Sequence, residues 1–153
     1  MLILFIAGSK TVQGATTNFI TTMVHEPETY KRLREEIDPF MQRIQDNVME
    51  KMTLEEVEDL EYVKMCYQEV LRRDAPAAVS KICSMTKSVQ VSGVVLNPGD
   101  AFIIGTHFMQ RDPKQWSAPE SFIPQRFDPD SPHYKRPDGG KRNTYAYSPF
   151  SGG

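Results

Sequence analysis

The chain is short of the residues that most often announce metal or redox chemistry. Its 153 residues include only two cysteines, Cys66 and Cys83, one tryptophan and three histidines. The cysteines make neither a CxxC pair nor a disulfide framework, which suits a reducing compartment. His25, His107 and His133 are scattered and build no metal-ligand cluster. No apolar run approaches the ~20 residues that span a bilayer. The apolar opening 1–7 lacks a basic flank, and nothing resembling a cleavage site follows, so a secretory leader is not expected. Charge of one sign is also lacking: 18 Lys+Arg against 20 Asp+Glu leave a net charge of -2. That balance argues against nucleic-acid binding by phosphate neutralisation. The length suits one domain with a real core.

What is present divides near Arg73. The first 73 residues hold two of the 11 prolines and two of the nine glycines, together with 13 of the 20 acidic residues. This is a helical half followed by one of turns, short strands and irregular backbone. Residues 1–24 read as a helix interrupted by Gly8 and Gly14. Pro27 opens a second helix over 27–49, in which Tyr30, Leu33, Ile37, Phe40, Met41, Ile44 and Val48 recur at helical spacing and Pro39 predicts a kink. Thr53-Leu-Glu-Glu56 has the form of a capping box and starts a third helix over 53–73. A small sheet is expected over 86–105, with turns at Ser92-Gly93 and Asn97-Pro-Gly-Asp100. The tail 117–153 is rich in proline and glycine and has no periodicity. Its interleaved Phe122, Phe127, Tyr145, Tyr147 and Phe150 suggest a coil packed onto something.

Several short patterns carry possible chemistry. Glu69-Val-Leu-Arg72 places a carboxylate and a guanidinium on one helix face, by itself an ordinary surface pair. Gly8, within Ala7-Gly-Ser-Lys-Thr11, costs a helix about 1 kcal/mol relative to Ala and so asks for a reason, such as close approach of another group. Thr11 has the simpler option of bonding back to its own helix. Arg111-Asp-Pro113 and Pro124-Gln-Arg-Phe127 punctuate the coil, each a turn or a local arginine contact by default. A phosphate loop is absent, since GxxxxGK[ST] does not occur.

Together and in this order, these pieces resemble one family, the cytochrome P-450 heme-thiolate monooxygenases. Ala7-Gly-x-x-Thr11 is similar to the oxygen-groove motif of its long central helix, and Glu69-x-x-Arg72 to its ExxR helix. Arg111-Asp-Pro113 with Trp116 resembles the RDPxxW segment. Pro124-x-Arg-Phe127 resembles the PERF motif, with Gln125 for the usual Glu. Tyr147-Ser-Pro-Phe150-Ser-Gly-Gly153 resembles the start of the heme-binding loop.

The resemblance implies a mostly α fold with a small β-sheet (α+β), the central-to-C-proximal part of the P-450 fold, truncated before the heme-ligand cysteine. The metal-ligand set is then none, because the axial cysteine position is not reached and neither Cys66 nor Cys83 occupies it. It implies Thr11 and Gly8 as catalytic residues. Phe150, Gly152, Gly153 and Lys81 are implied as heme-binding, and Glu69, Arg72 and Arg126 as a buried network scaffolding the heme loop. The implied cofactors are heme and, through a reductase partner, NADPH. The implied reaction inserts one atom of O₂ into an apolar organic substrate. The implied place is the endoplasmic reticulum membrane surface, reached through an anchor upstream, the piece itself being soluble. Three departures stand out: Lys10 where the family has an acid, Gln110 where it often has His, and Lys81 in place of a propionate-binding arginine. Two other classes stay open: a non-catalytic remnant or gene fragment that binds no heme, and a helical interaction module with a disordered tail.

Overall fold

Two long helices cross a third that carries most of the buried chemistry. The computed structural model describes residues 2–47, 51–77 and 81–150, with side chains over 7–47, 51–77 and 84–150. Helix α1 (Leu2–His25) is followed by α2 (Pro27–Asp46), the short α3 (Leu54–Glu58) and α4 (Glu61–Arg73). Strands β1 (Lys81–Ser84), β2 (Val89–Val91), β3 (Val94–Leu96) and β4 (Ala101–Ile104) come next, then the single turn of α5 (Thr106–Met109). Beyond α5 the chain is coil with 3-10 turns at Pro124–Phe127, Pro132–Tyr134 and Thr144–Ala146.

Helix α2 ends at Asp46, where the Asn47 amide donates to the Arg43 carbonyl, and it runs through Pro39, which lies on its exposed side. Val48, assigned to this helix by its periodicity, lies outside the described residues. The helix expected over 53–73 is two. The Asp59 amide closes α3 onto Glu55, and Leu60, only 8% exposed, leaves helical geometry to reach the core before α4 begins. Thr53 and Glu56 form the reciprocal capping box: the Glu56 amide donates to Thr53 Oγ1 at 3.2 Å, and the Thr53 amide to Glu56 Oε2 at 2.8 Å. Helix α4 has no cap of its own. Glu36 of α2 supplies one, accepting from the Tyr62 and Val63 amides at 3.1 and 2.9 Å. A carboxylate there also meets the positive end of the helix dipole.

The strands form two separate antiparallel pairs, β1 with β4 and β2 with β3. β1 begins ahead of the expected 86–105 because its partner is remote in sequence, with Lys81 opposite Ile104. The β2–β3 turn has Ser92 and Gly93 at φ 49° and 84°, as a two-residue hairpin requires.

Met23, Leu33, Tyr62 and Cys66 make the buried cluster, with Phe19, Ile37, Val63 and Phe122 packed around it. Asn18 Nδ2 donates to the Asp74 carbonyl at 2.7 Å, and Arg73 Nη2 to Thr22 Oγ1 at 3.2 Å, so α1 is pinned to the exit of α4. Gly14 sits at that crossing, where a Cβ would meet Pro76 Cβ at 3.2 Å.

Candidate functional site

Three charged side chains meet below α4 with no solvent exposure. Glu69 and Arg72 lie one turn apart on α4, and Arg126 comes from the 3-10 turn Pro124–Phe127. Arg72 Nε donates to Glu69 Oε2 at 2.7 Å and its Nη2 to Oε1 at 2.9 Å, a bidentate fork. Arg126 Nε donates to the same Oε1 at 3.0 Å, and the Ile123 amide adds a fourth bond at 3.0 Å. One carboxylate therefore answers two guanidiniums, and the surplus positive charge is met by backbone carbonyls. Arg72 Nη1 donates to the Gln110 carbonyl at 2.9 Å; Arg126 donates to the carbonyls of Ser117 at 2.6 Å and Ala118 at 2.8 Å. Burial holds the Arg126 pKa below its ordinary value; Glu69 opposes that shift and Arg72 adds to it.

Trp116, 1% exposed, roofs this network. The Arg72 guanidinium lies 5.3 Å from its ring centre and that of Arg142 lies 4.2 Å away. Phe127 and Tyr147 extend the aromatic stack, at centroid distances of 6.1 Å (Trp116–Phe127) and 5.0 Å (Phe127–Tyr147). Arg142 also donates through Nη1 to the Arg126 carbonyl at 3.0 Å, and burial brings its pKa down to about 10. Sequence reasoning missed Arg142. Its one signal was an arginine among aromatics in a coil with no acidic neighbour to pair it.

The other expected site residues stand apart from the trio. Thr11 Oγ1 donates to the Ala7 carbonyl one turn back at 2.7 Å, and no hydrogen bond joins it to Glu69, Arg72 or Arg126. Gly8 is open: a Cβ there would meet nothing within 4 Å. Lys10 Nζ donates to Gln13 Oε1 at 3.4 Å on the exposed side of α1. Phe150 is 51% exposed. Lys81 lies in β1 by its backbone, and its side chain is outside the described residues, as are Gly152 and Gly153. Among the described residues no cluster of His, Cys, Asp or Glu is able to hold a metal ion. Cys66 is fully buried beside Tyr62, and burial pushes its thiol up to about 12.

Comparison with known proteins agrees with this architecture. The family model described as Cytochrome P450 matches residues 1–153. Cytochrome P450 3A1 of Rattus norvegicus is 29% identical over 99% of this chain and 28% of its own length. Cytochrome P450 84A4 of Arabidopsis thaliana is 29% identical over 95% of this chain and 27% of its own. Among solved structures, retinoic acid bound cyanobacterial CYP120A1 superposes with a TM-score of 0.81 at 25% identity, covering 99% of this chain and 32% of that one. The chain thus spans less than a third of the proteins it resembles. With a family model matched along its whole length and a mostly helical fold bearing two small antiparallel strand pairs, the chain belongs to the cytochrome P450 family.

Proposed function

We propose that this chain is the central-to-C-proximal part of a heme-dependent monooxygenase, which inserts one atom of O₂ into an apolar organic substrate. Electrons come from an NADPH-dependent reductase, and the endoplasmic reticulum surface is the proposed location. No helix among the described residues is long and apolar enough to cross a membrane. The observation that carries the proposal is the buried trio. A carboxylate and two guanidiniums without solvent are costly to hold, and they persist here because every member is paired.

The described residues offer one side of a heme site and not its ligand. Gly8 is open, and Ala7 and Val12 near it on α1 are exposed. With its proton committed to the Ala7 carbonyl, Thr11 Oγ1 keeps lone pairs with which to accept a hydrogen bond. The axial donor is another matter. A thiol as buried as Cys66, with its pKa near 12, is not a thiolate at neutral pH and does not fit. No chemical step is therefore assigned to heme through these residues. Their proposed work is to shape the oxygen side (Gly8, Thr11) and to hold the loop side (Glu69, Arg72, Arg126).

The test uses the full-length protein loaded with heme, reduced and exposed to carbon monoxide. A Soret band of the thiolate type is expected, together with loss of heme retention in Glu69→Gln. A folded protein that takes up heme but lacks that band would overturn the monooxygenase reading, and one that takes up no heme would favour the non-catalytic remnant.

A further inference from the structure

Gln110 is fully buried, and its side chain makes three hydrogen bonds that the charged network does not need. Nε2 donates to the carbonyls of Leu71 at 3.1 Å and Arg72 at 2.9 Å. Both belong to the last turn of α4, whose final carbonyls have no partner within the helix. Oε1 accepts from the Ser148 amide at 2.9 Å. The amide orientation is forced, since turning it over would set its oxygen against two carbonyls and its nitrogen against an N–H. The Gln110 backbone belongs to the same knot: its carbonyl accepts from Arg72 Nη1 at 2.9 Å.

We infer that Gln110 is a positioning residue: it caps α4 and with the same amide fixes the stretch 147–150 against Arg72. The stretch 147–150 has no sheet partner and no regular helix of its own. Its register to α4 is set by this bond together with the ring of Tyr147 on Phe127. The sequence resemblance makes this stretch the start of the heme-binding loop. The assignment itself rests on hydrogen bonds and not on the monooxygenase reading.

The side chain also explains why an amide stands here. Two donors and an acceptor are needed at once, and glutamine supplies them with no titratable group. A neutral imidazole has one donor and one acceptor, and an imidazolium has no acceptor for the Ser148 amide. Replacing Gln110 by His therefore builds a pH switch into a link that is otherwise indifferent to pH.

Hydrogen exchange in the full-length protein tests this without reference to any bound group. After correction for intrinsic rates, wild-type protection over 144–150 is expected to stay constant between about pH 5.5 and 8. In Gln110→Met it should fall about tenfold, the scale of one buried hydrogen bond, while α2 stays protected. In Gln110→His, protection over 144–150 should hold near pH 8 and be lost on acidification, below the ordinary imidazole value of about 6.5 because burial and the Arg72 guanidinium disfavour the imidazolium, ahead of any loss in α2. Wild-type exchange over 144–150 in Gln110→Met would overturn the inference. So would a Gln110→His protein whose exchange is independent of pH or changes equally everywhere. Should the Met variant fail to fold, the His variant decides alone. A failed carbon monoxide spectrum would leave the exchange result standing.

Discussion

Glu69 shows how much one side chain is asked to do. It accepts four hydrogen bonds from three residues, and it is the anion that the two buried guanidiniums share. Removing it differs from removing either arginine. Arg126→Ala leaves a paired Glu69 and Arg72, whereas Glu69→Ala leaves two cations in contact with each other's field and no anion between them. Breaking a buried pair costs about 3–5 kcal/mol, and Glu69→Ala is expected at or above the top of that range, with Arg126→Ala at its lower end. Because the two share one oxygen, Oε1, the double variant Glu69→Ala/Arg126→Ala should fall well short of the sum. Denaturant midpoints of the four proteins in a double-mutant cycle measure the coupling. Additive losses would mean the bonds are independent. The trio was legible in sequence because it is written as two short motifs, ExxR and PxRF. The carbonyls of Ser117 and Ala118 that complete it were not, because a backbone acceptor leaves no trace in residue identity.

At the scale of elements, what sequence could show depended on whether the cause was local. The Thr53–Glu56 capping box lies within four residues and was read from them directly. So was the Ser92-Gly93 turn, where Gly93 supplies the positive φ that a two-residue hairpin needs. The break between α3 and α4 was not visible. Its cause is the pull of the core on Leu60 and the cap that Glu36 supplies from another helix. The early start of β1 was hidden for the same reason, since its partner is β4. The capping box also predicts a pH dependence. The hydrogen bond from Arg43, then that from the Thr53 amide, lowers the Glu56 carboxyl from its ordinary 4.5 to about 2. A carboxyl whose pKa is lower folded than unfolded stabilises the fold fully above 4.5, and that contribution fades as pH falls towards 2. Glu56→Gln should therefore lower the urea midpoint at pH 7 and lower it less at each step below 4.5. The group is only partly buried, so the effect is small and should shrink further in high salt. A gap that widens on acidification would show that Glu56 acts through something other than its charge.

For the whole molecule the decisive quantity is surface. A folded protein of 17.5 kDa is expected to expose ~7,900 Å² by the usual scaling of area with mass. This chain exposes 10666 Å². The excess is partly apolar: Val12 at 62%, Val24 at 75% and Phe108 at 79% exposure face solvent, as do Val91, Val94 and Val95 of the β2–β3 hairpin. Such residues scattered singly need no explanation, but Val24 stands one turn from Ile20, itself 59% exposed, and the three valines share one hairpin, so they form faces that water covers poorly. The helices are held instead by a modest cluster around Met23, Leu33, Tyr62 and Cys66 and by the charged trio. A charged network gives direction to the packing and contributes little net stability, so the apolar cluster has to carry most of it. The 153 residues expressed by themselves should therefore bind an environment-sensitive dye such as ANS and unfold over a broad thermal range, with far-UV helicity outlasting the near-UV signal of Trp116. A longer chain that continues this fold, as proposed, should bind less dye per mole and melt sharply. A steep, two-state transition without dye binding from the isolated chain would mean that the exposed faces are sealed in solution, and that its core is larger than the one described here.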